Sequence, residues 1–162
     1  MGFDPFPFFS IQIYIKLMVK TGYRENMRKN KMILLLPAFW ACLFDETITI
    51  VKQKADYWNG NLNTANEGNP IGAAFMHYHV SGIFVISAFW LLLIGIIGIY
   101  LPTRFLKTFT LFIVMIHTWG ASTWFSHYYG FWYVIIFVAV NSVFFIKAEE
   151  IYSAQLRSLS NQ

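Results

Sequence analysis

Apolar residues fall along this chain in long runs separated by short polar stretches, and the runs are too long for the core elements of a soluble domain. Four of them approach or exceed the roughly 20 apolar residues that a helix needs to cross a bilayer. They cover residues 32–52, 71–101, 106–126 and 131–146. The pattern predicts an all-α membrane protein, a four-transmembrane-helix bundle over residues 32–147. Pro37 falls early in the first span, where it can kink the helix. The second run overshoots the hydrocarbon thickness by roughly ten residues, so its opening turns, Ile71 to His79, are expected to project into the outer interface, and Pro102 ends it. Arg104 and Lys107 then mark a short loop, and His127-Tyr128-Tyr129-Gly130 turns the chain into the fourth span.

The flanks read differently. Residues 1–31 form an aromatic and basic N-terminal segment in which Phe3, Phe6, Phe8, Phe9, Ile11, Ile13 and Ile15 precede a run of lysines and arginines. Pro5 and Pro7 interrupt its start, and the apolar part is too short to span a bilayer. An amphipathic helix lying in the membrane interface is the expectation, while the alternation from Phe9 to Ile15 leaves a short strand open. Between the first two spans, residues 53–69 are polar and rich in turn formers, with Asn59-Gly60 favouring a tight turn. Asn69 is placed to cap a helix that Pro70 begins. Residues 148–162 form a polar tail.

Charge orients this array. Of the 12 Lys and Arg residues, six lie between Lys16 and Lys31, two in the Arg104–Lys107 loop and two after the fourth span, whereas the outer loop holds only Lys52 and Lys54. Cytoplasmic loops carry such an excess of cations, so both termini are expected on the cytoplasmic side. Placed beside apolar spans, the net charge of +4 reflects membrane flanks and not a nucleic-acid surface. A charged fraction of 12%, about half that of soluble domains, excludes a separate soluble domain. The first residues lack the apolar core and small-residue cleavage site of a signal peptide, so the first span is expected to act as an uncleaved signal. The single cysteine, Cys42, excludes an internal disulfide and a cysteine-based metal cluster within one chain.

Candidate chemistry lies in the polar residues that interrupt the spans. Ionisable side chains in a membrane cost several kcal/mol unless paired or hydrated, yet Asp45 and Glu46 stand in the first span and His117 in the third, with His77 and His79 near the start of the second and Glu67 just before it. Asp45 lies roughly 10 Å from the outer end of its span at 1.5 Å per residue, a level that His117 shares. Asp45 and Thr49 share a helix face and Glu46 points elsewhere. His77 and His79, two residues apart, point in nearly opposite directions. One reading is a metal site formed by Asp45, Glu67, His79 and His117, a donor set that suits zinc, copper or iron. A second is a hydrogen-bond network that fixes helix packing. A third is haem held by His79 and His117, or a proton pathway.

The residues Asp45-x-Thr47, Tyr57-Trp58-x-Gly60, Asn66-Glu67-x-Asn69-Pro70, His79 and His117-Thr118-x-Gly120-Ala121-x-Thr123-Trp124 resemble an uncharacterised group of bacterial four-span membrane proteins. That group has an E-x-N-P loop and an H-T-x-G-A-x-T-W third span. The resemblance covers about half the chain and departs at Val80, where the pattern has proline. It implies a four-span fold with a polar cluster on its outer side, and it supplies no reaction.

Two functional expectations follow. One is an integral membrane accessory subunit of a larger respiratory, photosynthetic or oxidative complex, without catalytic activity of its own, whose partners are the lipid bilayer and other membrane subunits. The other is a membrane metal-binding protein or metalloenzyme with a carboxylate and histidine site in the outer half of the bundle. A bacterial inner membrane is the expected location for either.

Overall fold

A computed structural model describes the backbone of residues 6–160 and the side chains of residues 29–158. Six helices follow in order: α1 (Phe6–Val51), α2 (Ala55–Trp58), α3 (Pro70–Tyr78), α4 (Gly82–Tyr100), α5 (Thr103–Tyr128) and α6 (Phe131–Ser160), with a 3-10 turn at Leu62–Thr64. No strand occurs among the described residues. Four helices are long and apolar enough to cross a membrane: the Lys29–Val51 part of α1, α4, α5 and the Phe131–Ser158 part of α6. The chain is therefore a multi-pass membrane protein built on a four-helix bundle.

The short strand left open over Phe9–Ile15 does not form. The backbone is helical from Phe6, and one helix runs without interruption to Val51 across the expected boundary at residue 31. Residues 1–5 of the expected interfacial segment lie outside the described residues. Pro37 is accommodated within α1 and is fully buried. At the other end, α6 continues as helix through Lys147 to Ser160, so the polar tail beyond 147 extends the fourth helix.

The expected continuous run over 71–101 is broken in the structure. Asn69 caps α3 by accepting a hydrogen bond from the Ile71 amide at 3.0 Å, and Pro70 occupies the first turn, as the sequence pattern requires. The helix then stops at His79, whose backbone is extended at φ −160° and ψ 151°. The Gly82 amide closes a turn on the His79 carbonyl at 2.8 Å, and α4 begins. Only glycine allows this turn: Gly82 is buried against α3, where a Cβ would run into the Phe75 carbonyl. Hydropathy cannot register such a break, because both halves are apolar. The loop beneath is pinned by Tyr57, fully buried with Met76 and Ile83, whose hydroxyl donates to the Val80 carbonyl at 2.9 Å. Met76 thus packs a core and does not face an open site.

Packing places α1 at the centre. It contacts α4, α5 and α6, whereas α4 meets α5 only slightly and α6 not at all. Burial follows this arrangement: 44% of the most apolar window of α1 is buried, against 17% for α6. Three core layers set the register. Leu34 and Leu35 meet Leu106 and Tyr152; Ala38 and Cys42 meet Ile94 and Val114; Ile48 meets Ala121, Trp124 and Phe137. Gly98 lets α4 approach the first layer, since a Cβ there would overlap the Leu35 side chain. Lys31 locks the same end by donating to the carbonyls of Ile99 at 2.8 Å and Leu101 at 2.7 Å. These are the unpaired acceptors at the C-terminus of α4, where a cation also opposes the helix dipole.

Candidate functional site

From the second core layer toward the third, α1 carries Cys42, Asp45 and Glu46, and each finds polar company on a neighbouring helix. Asp45 turns toward α5. Its Oδ2 accepts from His117 Nδ1 at 2.9 Å, with both side chains largely enclosed at 18% and 13% exposure. An ionised carboxylate only accepts, so a neutral His117 ring bonded in this way carries its proton on Nδ1 and leaves the Nε2 lone pair free. The approach depends on Gly120, where a Cβ would lie 2.7 Å from Asp45 Oδ2. One turn further along α1 the same two helix faces meet again, with Trp124 Nε1 donating to Thr49 Oγ1 at 3.0 Å.

Glu46 turns toward α4. Its Oε2 accepts from Ser87 Oγ at 2.5 Å. That hydroxyl also lies 2.8 Å from the Ile83 carbonyl within α4. Glu46 and Cys42 stand one helical turn apart on α1 and share a face. One ligating atom each from Cys42, Glu46 and His117 lies within 4.8 Å of the other two. A thiol, a carboxylate and an imidazole therefore converge on one point, with Cys42 buried and the other two partly so.

Glu67 reaches the same region from the loop between α1 and α3. Its Oε1 accepts from the Asn69 amide at 2.6 Å. Its carboxylate also lies against Gly72, where a Cβ would meet Glu67 Cγ at 2.9 Å. Burial pushes the Glu67 carboxyl above the usual carboxylate range, the backbone amide of Asn69 opposes that rise, and the charge of Asp45 adds to it. The loop is fixed in turn by Gln53, which donates to the Asn66 carbonyl at 2.7 Å and accepts from the Asn66 amide at 2.9 Å. Register places two more polar groups at this level. Thr118 and Asn141 fall between the layers that contain Val114 and Ala121; both are buried, and their side chains have no hydrogen-bond partner among the described residues. Such groups cost free energy in an apolar interior until something polar meets them.

Of the four residues singled out from the sequence, the structure pairs Asp45 with His117 and brings Glu67 into electrostatic reach of Asp45. His79 stands apart in its bonding: it is exposed at the end of α3, with Nδ1 2.8 Å from Ser81 Oγ. His77 is exposed as well, its Nδ1 against the Ala73 carbonyl at 2.7 Å. Sequence reasoning did not place Cys42 or Glu46 in the cluster. Their i, i+4 spacing on a span that also holds Asp45 was the available signal. The sequence reading turned Glu46 away from Asp45, and it does face α4 instead; which helix would stand on that side could not be read from one helix alone. The chain matches no family model, no curated protein and no solved structure in the comparisons made.

The Asp45–His117 contact should register as a coupling energy. In a double-mutant cycle with Asp45→Asn and His117→Ala, thermal or denaturant unfolding in detergent is expected to give about 0.5–3 kcal/mol of interaction. Strict additivity of the two substitutions would mean that the pair does not form.

Proposed function

We propose that this protein is a membrane metal-binding protein whose ion is held by Cys42, Glu46 and His117. The observation that supports the reading is the convergence of three ligand types from two helices within 4.8 Å. Zinc suits the set, because it accepts thiolate, imidazole and carboxylate together in tetrahedral geometry; copper and iron are the competing ions. Asp45 is a positioning residue. It fixes the His117 tautomer and ring orientation through Nδ1 and leaves Nε2 for the ion, the carboxylate–histidine–metal arrangement that tunes ligand basicity. Three protein ligands leave a fourth coordination position open.

The reading also proposes a location. The protein resides in a bacterial inner membrane with both termini cytoplasmic, which puts the site in the outer half of the bundle. The ten-to-two distribution of Lys and Arg between inner and outer segments supports this orientation.

Metal analysis of purified protein after equilibration with zinc tests the site. About one ion per chain is expected for the wild type, with stoichiometric binding lost in Cys42→Ala and His117→Ala. Asp45→Asn is expected to retain the site with about 10–100-fold weaker affinity. Equal metal content in wild type and both ligand variants would remove the proposal. Orientation is tested separately by reporter fusions after Gln162 and within the 53–69 loop. A cytoplasmic signal from the tail and an external one from the loop is expected, and the reverse would overturn the topology.

A further inference from the structure

A second feature lies on the opposite side of α1 from the metal ligands. At about 100° per residue, Cys42 and Glu46 face one way, whereas Trp40, Thr47 and Val51 face the other. There, α1 forms a groove of about 450 Å³ with Phe125 of α5, Tyr129 just after it and Tyr133 of α6. None of the metal-ligand set lines it. Its walls are aromatic and aliphatic. Trp40, Val51 and Tyr133 remain 41%, 68% and 54% exposed, so the groove opens sideways into the hydrocarbon layer.

Length and charge identify what fills it. From Trp40 to Lys52 the groove follows α1 for about 18 Å at 1.5 Å per residue, close to the ~15 Å depth of one leaflet. Trp40 closes the deep end against Phe144, ring centroids 6.4 Å apart. At the shallow end stands a cation: Lys52 Nζ lies 4.6 Å from the ring centre of Tyr128 and 4.9 Å from that of Tyr129. The two tyrosine rings hold the ammonium at the mouth of the groove by cation–π attraction. A one-leaflet apolar channel with a fixed positive charge at its interfacial end matches a lipid with a chain below and an anion above.

We propose that this groove is a binding site for a phospholipid with an anionic headgroup, one acyl chain lying along α1 toward Trp40 and the phosphate against Lys52. It is independent of the metal site, since it uses the other face of the helix. The two rings position Lys52 for the headgroup and thereby add selectivity for charge to a channel that would otherwise accept any chain.

Native mass spectrometry tests it directly. The protein is equilibrated in bilayers of phosphatidylglycerol and phosphatidylcholine with matched acyl chains, and the retained lipid is identified. Wild type is expected to keep one lipid per chain, enriched about fivefold in the anionic species over the bulk ratio. Lys52→Gln should bring the retained lipid to the bulk ratio, Lys52→Arg should preserve the enrichment, and Val51→Trp, which fills the groove, should abolish retention of both. A wild-type lipid at the bulk ratio, enrichment that survives Lys52→Gln, retention that survives Val51→Trp, or a retained apolar molecule without a phosphate would each overturn the assignment.

Discussion

An ionisable group cannot stay alone in hydrocarbon, and this fold is organised around satisfying several that one helix carries. Cys42, Asp45 and Glu46 occupy adjacent turns of α1, so their side chains leave the helix in more than one direction. No arrangement with α1 at the edge of the bundle would enclose them all. The structure places α1 centrally: Asp45 meets His117 on α5 and Glu46 meets Ser87 on α4. Isolated charges at such depth cost several kcal/mol. The same contacts therefore decide both which helix is central and which glycines are required. Gly120 is the clearest instance, because any side chain there would displace the Asp45 carboxylate from the ring it binds.

The remaining features distribute themselves along the bundle axis. At the end where the first span begins, Lys31 ties α1 to the last carbonyls of α4, beside the layer of Leu34, Leu35, Leu106 and Tyr152. At the other end, a folded loop closes over the bundle, fixed by Tyr57 and by the Gln53–Asn66 pair. Glu67 descends from that loop toward the buried carboxylates. The partly buried ionisable groups Asp45, Glu46 and His117, with the unpartnered side chains of Thr118 and Asn141, lie in the half between. The opposite face of α1 is aromatic and open, with a single cation at its rim. One helix thus presents a polar face to its neighbours and an apolar channel to the membrane.

Much of this was legible from the residues. Four spans, the Asn69–Pro70 helix start and the shared level of Asp45 and His117 follow from run lengths, capping chemistry and the rise of a helix. The break at His79–Gly82 does not, because it depends on a glycine being pressed against a backbone carbonyl 7 residues earlier in the sequence. Periodicity placed Asp45 with Thr49 on one face, and both do meet α5. It also set Glu46 apart from Asp45, and Glu46 does turn to α4 instead; the convergence of Cys42 and Glu46 with His117 was not legible, because helix periodicity reports which residues share a face, not how many faces are enclosed. That number depends on neighbours, and central position is a property of the whole bundle. His79 looked equivalent to His117 in the sequence, but it ends a short helix where its ring bonds to the next turn.

The central claim is that a thiolate, a carboxylate and an imidazole from α1 and α5 bind one ion together. X-ray absorption at the zinc edge of the loaded protein tests it most directly. The account predicts a shell with a single sulfur at about 2.3 Å and the remaining ligands nitrogen or oxygen at about 2.0–2.1 Å. A shell of nitrogen and oxygen alone, or one with two or more sulfurs, would contradict it.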